Sequence, residues 1–133
     1  MIIDTSALIA ILRAEPDMDD LLWVLNAEDG PVRISAGNLL EAAIVVDGKR
    51  DPVVSRDFDL FLETRPIEVE PFTAKQAAIA RQAYRDFGKG SGHSAQLNMG
   101  DCFAYALSKD KGEPLLYKGD AFSHTDVRPA LQR

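Results

Sequence analysis

Short apolar segments alternate along the chain with longer segments of helical periodicity, and this alternation constrains the fold more than any other feature. Residues 1–3, 32–34, 67–70 and 115–117 are predicted strands. One or more helical segments separate each strand from the next, and such connections are right-handed crossovers between parallel strands. The sequence therefore predicts an α/β fold, a three-layer α/β/α sandwich with a mostly parallel central sheet.

The predicted helices carry ordinary start and stop signals, with Asp, Ser or Thr before the first turn and Gly or Pro after the last. Thr73 and Gln76, for example, form a predicted capping box. The helices indicated in this way begin after Asp4 and cover about residues 17–29, 35–48, 52–64, 73–87 and 99–109.

Composition indicates an ordinary globular chain, and its 133 residues predict one domain over residues 1–133. No apolar run approaches the roughly 18 residues of a membrane span, and the N-terminus has an acid and no basic region. We therefore expect a cytoplasmic protein without a membrane partner. The single cysteine, Cys102, excludes an internal disulfide and a multi-cysteine zinc site.

The net charge of −6 argues against nucleic acid as a partner, because an acidic surface repels phosphate. Acids that converge on metal ions are an exception, since bound cations cancel much of that charge and reverse the local field. Net charge therefore says little about a metal-dependent nuclease.

Four acids are placed so that they can converge. Asp4 directly follows the first predicted strand, and Asp120 lies just past the last, so both are expected at the carboxyl edge of the sheet, where ligands bind. Asp101 falls in the first turn of the helix that leads to the last strand. Glu41 interrupts the apolar stretch 39–46, where an unpartnered carboxylate is unusual. Together they predict a site for a hard divalent ion, Mg²⁺ or Mn²⁺.

Each acid also has a simpler interpretation. Asp4 could be a plain helix cap, Asp101 a favourable charge in a first helical turn, Glu41 a surface residue and Asp120 an ordinary turn acid. Their joint placement, rather than any one of them, favours a site. One or two metal ions there could activate water to cleave a phosphodiester, leaving a 5′-phosphate and a 3′-hydroxyl.

The chain closely resembles the PIN-domain family, specifically the VapC-type toxins of bacterial toxin–antitoxin modules. The similarity is carried by segments 1–8, 38–42, 97–107 and 115–127, in the expected order. Asn-Met-Gly-Asp-Cys-Phe-Ala-Tyr-Ala within the third segment is the most specific of the motifs, whereas the opening Ile-Asp-Thr-Ser is weak by itself.

The resemblance implies an α/β/α fold, Mg²⁺- or Mn²⁺-dependent endoribonuclease activity, a cognate VapB-type antitoxin and a homodimer. The acidic site of the family maps onto Asp4, Glu41 and Asp101, with Thr5 or Ser6 expected to form hydrogen bonds near the metal. Its fourth acid stays open between Asp120 and Asp126, because Ala121 follows Asp120 where close relatives often carry a second acid.

Basic residues recur near the predicted helix 73–87. Arg81, Arg85 and, if the helix persists, Lys89 share one face and form a candidate RNA-binding stripe with His93 of the glycine-rich loop. The alternative is a solvated face paired with local acids such as Asp86. Trp23, Tyr84 and Phe87 are expected in the core or an interface rather than as base-stacking platforms.

Two other functions are considered. A receiver-type signalling domain has an acidic pocket and a lysine, for which Lys118 is a candidate, but it needs paired acids after the first strand, where this chain has Asp4 and Thr5. A catalytically silent binding module of the same fold is the second alternative, and the intact acids argue against it.

Overall fold

The computed structural model describes residues 1–132, so position 133, the last of the predicted single domain, lies outside the described residues. Every predicted strand and helix is found within that range, with ends that differ by a few residues at most. The elements are β1 (Ile2–Ile3), α1 (Thr5–Leu12), α2 (Met18–Ala27), β2 (Val32–Ser35), α3 (Ala36–Asp47), α4 (Pro52–Thr64), β3 (Ile67–Glu70), α5 (Ala74–Phe87), α6 (Met99–Lys111) and β4 (Leu115–Leu116).

The four strands form one parallel sheet in the order β3-β2-β1-β4. Ile2 of β1 lies opposite Arg33 of β2 on one side and Leu115 of β4 on the other. Because all strands run in the same direction, their carboxyl ends meet at one edge of the sheet. The predicted parallel sheet is confirmed.

Apolar residues on the two faces of the sheet build two cores. Ile3 and Leu116 pack on one face against α1–α4, whereas Ile2 and Leu115 pack on the other against α5 and α6. This division follows from the strand period of two, which sends neighbouring side chains to opposite faces. The predicted three-layer α/β/α arrangement is confirmed.

The start of α5 differs in one respect from its predicted capping box. Thr73 Oγ1 accepts a hydrogen bond from the Gln76 N–H at 3.1 Å, as predicted. The Gln76 side chain, however, is buried and donates to Asp110 Oδ2 at 3.0 Å instead of returning to Thr73. Gln76 therefore ties α5 to α6, whose residues form the same core.

Single residues with a predicted environment give mixed outcomes. Cys102 is buried, and burial followed by the charge of Asp101 raises the pKa of its thiol to about 11. Trp23 was expected in the core or in an interface. Its side chain is 72% exposed, so the prediction of the core is wrong. Among the described residues, no helix is both long enough and apolar enough to cross a membrane.

Candidate active site

Asp4 lies at the carboxyl end of β1 and caps α1, and it is only 2% exposed. Its Oδ2 accepts two hydrogen bonds from Ser6, from the backbone N–H at 3.0 Å and from Oγ at 2.6 Å. Its Oδ1 is buried without a hydrogen-bond partner in residues 1–132. Burying a carboxylate oxygen without a hydrogen-bond partner costs free energy, so we expect a water or a cation to bind Asp4 Oδ1.

Asp101 is held in the first turn of α6 by a reciprocal capping box with Asn98. The Asn98 side chain accepts from the Asp101 N–H at 2.9 Å, and Asp101 Oδ2 accepts from the Asn98 N–H at 3.0 Å. Asp101 therefore does stabilise the first turn of α6, which was its simpler interpretation. It uses one carboxylate oxygen and leaves the other without a hydrogen bond in the described part of the chain.

Glu41 lies on α3 against the first turn of α6. Buried Asn38, one turn earlier, donates from Nδ2 to the Gly100 carbonyl at 2.9 Å and to Glu41 Oε1 at 3.4 Å. A Cβ at Gly100 would lie 2.1 Å from Glu41 Oε2, so only glycine leaves room for this carboxylate beside Asp101. Asn38 and Gly100 are thus site residues to which the sequence analysis assigned no role. The spacing of three between Asn38 and Glu41 on one helix is the signal that could have found the first of them.

The three acids act on one another electrostatically. Burial raises the pKa of Asp4 to about 7, and the charges of Asp101 and Glu41 add to this rise, whereas the hydrogen bonds from Ser6 oppose it. Burial and then Glu41 also raise the pKa of Asp101, against its hydrogen bond from Asn98 and the charge of Lys89. The fold therefore holds carboxylates together at a cost that a bound cation would relieve.

Thr5 and Ser6 fix the geometry around Asp4. Ser6 Oγ donates to Asp4 and accepts from the Lys118 N–H at 3.0 Å, which ties α1 to the segment after β4. Thr5 Oγ1 donates to the Asn38 carbonyl at 3.1 Å and so joins the start of α1 to α3. The hydroxyls of this pair connect the elements that carry the acids.

The two candidates for a fourth acid lie in different surroundings. Asp120 is exposed, and its side chain is 3.9 Å from His124 Nε2. Asp126 accepts from Tyr105 at 2.7 Å and from Lys109 at 2.9 Å. Burial alone would raise the pKa of Asp126, but these two hydrogen bonds together with the charge of Lys109 and a backbone hydrogen bond lower it. Neither side chain is among the charges that shift the pKa of Asp4 or of Asp101.

The donor set fits a hard divalent ion by its chemistry. The three acids offer only oxygen, which Mg²⁺ and Mn²⁺ prefer, and Asp4 Oδ1 and Asn38 Oδ1 are buried without partners. Within residues 1–132, however, no three acid, histidine or cysteine side chains are arranged to hold an ion directly as they stand. Mg²⁺ usually keeps several waters and binds through one or two carboxylates, so this arrangement is compatible with a hydrated ion.

The predicted basic stripe does not continue along one helix. The α5 helix ends at Phe87, so Lys89 lies beyond it, and only Arg81 and Arg85 share a helix face. In the described part of the chain neither arginine forms an ion pair, and Asp86 accepts from Gln82 instead. His93 packs its ring edge-on against Phe87, and its Nδ1 accepts from the Ala95 N–H at 3.0 Å. That histidine therefore shapes its own loop.

Asp4 is expected to make the metal-free protein less stable as pH rises from about 5 to about 7. The unfolded chain releases this proton near pH 3.8, while the folded chain keeps it until about 7, so the folded state binds more protons in this window. Asp4→Asn should therefore gain stability relative to wild type, by up to about 1.4 kcal/mol for each pH unit, and level off above about pH 7. Urea unfolding in EDTA measures this difference; two parallel stability curves would contradict it.

Comparison with known proteins gives one family. The PIN domain matches residues 1–128. Ribonuclease VapC28 of Mycobacterium tuberculosis is 53% identical over 133 residues, which are 100% of this chain and 99% of that protein. This likeness agrees with the resemblance found in the sequence motifs.

Two solved structures share the fold at low identity. The sarcin–ricin loop cleaving toxin VapC20 of Mycobacterium tuberculosis is 18% identical with a TM-score of 0.69, covering 96% of this chain and 98% of that one. VapBC2 of Rickettsia felis, bound to a DNA fragment from its promoter, is 17% identical with a TM-score of 0.74, covering 96% of this chain and 94% of that one. Both support the α/β/α architecture.

Proposed function

The chain belongs to the PIN domain family, and we propose that it is a metal-dependent endoribonuclease that acts as the toxin of a toxin–antitoxin pair. What supports this proposal is that Asp4 at the carboxyl end of β1, Glu41 on α3 and Asp101 in the first turn of α6 act on one another electrostatically, and that Glu41 lies against Gly100, the neighbour of Asp101. The full-length likeness to a protein named as a ribonuclease supports the same reaction. Family membership also excludes a receiver-type signalling domain.

The carboxylates of Asp4 and Asp101 would hold Mg²⁺ or Mn²⁺, because each has an oxygen that is free of hydrogen bonds in the described range. When bound, the divalent ion supplies the Lewis acidity that activates water for attack on phosphorus. Ser6 keeps Asp4 oriented through Oδ2, so Oδ1 stays available. Asn38 keeps Glu41 beside Asp101, where its carboxylate can orient a water. Asp120 stays a proposed outer acid, since it follows the Lys118 segment that is bound to Ser6.

Cleavage of mixed RNA tests the reaction. The purified protein is expected to cut RNA in MgCl₂ or MnCl₂ and to stop in EDTA, leaving 5′-phosphate ends that ligate without prior kinase treatment. Asp4→Asn purified in parallel controls for contaminating nuclease. Cleavage that persists in EDTA would contradict the metal mechanism. Folded protein that cuts no RNA with either metal would favour the silent binding module.

An antitoxin partner is proposed from the resemblance and from exposed apolar side chains. Leu40 and Ile44 share one face of α3 and are more than half exposed, and Val53 of α4 is also exposed. A partner segment could cover such a surface and reach the acids with an arginine. Production of the chain alone is expected to slow bacterial growth, and production with the product of the neighbouring gene should restore it. Unimpaired growth with folded wild-type protein would count against a toxin. The homodimer stays a prediction.

A further inference from the structure

An apolar groove of about 590 Å³ lies between α5 and the beginning of α6. Three aromatic side chains line it, Phe72, Tyr84 and Phe103, and the first and last meet edge-on with ring centroids 4.7 Å apart. Met99, also in the lining, is 74% exposed. The lining of this groove is mostly apolar, and the groove is open to solvent.

The groove continues directly from the acidic site. Asn98, Met99 and Cys102 line it and flank Asp101 on α6, and Asn98 is the residue that caps this acid. Lys89 also lines the groove, and its charge acts on the Asp101 carboxylate. Two neighbouring nucleotides of one RNA chain could therefore lie with a phosphate at the acids and a base in the groove.

Two cationic side chains lie at the rim of this groove. Arg81 and Lys89 line the groove and are exposed, and neither forms an ion pair in the described range. Tyr84 donates its hydroxyl hydrogen to the Lys89 carbonyl at 3.0 Å and so fixes the turn that carries this lysine. Aromatic faces beside a cationic rim are typical of sites for single-stranded nucleic acid, and they occur here on a chain whose net charge is −6.

We propose that this groove is a nucleobase subsite, in which a base next to the cleaved bond stacks on the aromatic side chains. Arg81 and Lys89 bind the backbone phosphates on either side of that base. The proposal rests on the ribonuclease function proposed above. In this proposal the groove determines which nucleotide lies next to the cleaved phosphodiester bond. A purely apolar partner segment would fit the aromatic surface but would leave the two cations without a role.

A matched pair of tryptophan variants tests the subsite. Ala77 lines the groove, whereas Ala78, the next residue of α5, is exposed and does not line it. Ala77→Trp should fill the groove, and Ala78→Trp should not. In the Asp4→Asn background, binding of fluorescein-labelled octauridylate and octaadenylate is read by anisotropy in MgCl₂. Ala77→Trp is expected to weaken binding by at least about fivefold, and Ala78→Trp by less than about twofold.

A second pair keeps the test decisive should Ala77→Trp fail to fold. Arg81→Ala should weaken RNA binding clearly more than Arg85→Ala, because Arg85 lies on the same helix but does not line the groove. Equal losses within both pairs would overturn the subsite. So would a change of molar mass in Ala77→Trp, measured by light scattering, with unchanged RNA binding, which would make the groove an interface between copies. Absence of cleavage by the wild-type chain is a separate result, which tests the nuclease itself.

Discussion

Asp4→Asn and Asp101→Asn are each expected to lower the rate of RNA cleavage by about a hundredfold to a thousandfold. Both changes keep the size of the side chain and remove the negative charge that would hold the divalent ion. Asp4 is buried, so its amide replacement preserves the packing around Ser6. The measurement is single-turnover cleavage of one labelled RNA in MgCl₂.

Asp59→Asn is the matched control for these two variants. Asp59 is an exposed acid on α4 and makes no ion pair in residues 1–132, so cleavage should stay within about twofold of wild type. Asp120→Asn is expected to fall between the control and the site variants, because this exposed acid follows the Lys118 segment that is bound to Ser6. Full activity in both Asp4→Asn and Asp101→Asn would remove the basis of the proposed mechanism.

Gly100→Ala is expected to reduce cleavage by about a hundredfold, although it changes no acid. The new Cβ would lie 2.1 Å from Glu41 Oε2 and 2.6 Å from its Cδ, so the carboxylate must move away. The contacted group is the end of a flexible side chain, and alanine is a better helix former than glycine. The free energy of unfolding should therefore stay within about 1 kcal/mol of wild type, as urea unfolding would measure.

A double-mutant cycle with Glu41→Ala identifies the cause of the loss. Once the glutamate side chain is gone, Gly100→Ala should lower cleavage no further, and the free energy of unfolding should rise by less than about 0.5 kcal/mol, because Gly100 is the second residue of α6 and not in its middle. An equal additional loss of activity in the Glu41→Ala background would show that Gly100 acts by another route than leaving room for this carboxylate.

The sequence predicted the architecture well because the relevant signals are local. Apolar runs such as 32–34, capping residues such as Thr73 and stop signals such as Gly30 each act over a few residues, and the crossover rule turns their order into a parallel sheet. The same rule placed Asp4 at the carboxyl edge of the sheet. The prediction of an acidic site at that edge therefore started from element order.

The details of the site depend on packing between distant elements, which local patterns do not contain. Asn38 and Gly100 are 62 residues apart, and their hydrogen bond exists only once α3 and α6 have docked. Lys89 was expected to join a helical stripe if the helix persisted, but α5 ends at Phe87, and the charge of this lysine instead acts on Asp101. The exposure of Asp120 likewise depends on how the segment after β4 turns, which its Lys-Gly-Asp sequence leaves open.

Binding of Mn²⁺ in solution tests the central claim most directly, namely that Asp4, Glu41 and Asp101 share one hydrated cation. The paramagnetic resonance signal of free Mn²⁺ is followed as the wild type, Asp4→Asn, Asp101→Asn and Asp59→Asn are titrated at about pH 8, where the Asp4 carboxyl is ionised. We predict that the wild type and Asp59→Asn bind Mn²⁺ alike and that both site variants bind at least about tenfold more weakly. Equal Mn²⁺ binding by all four proteins would contradict the claim.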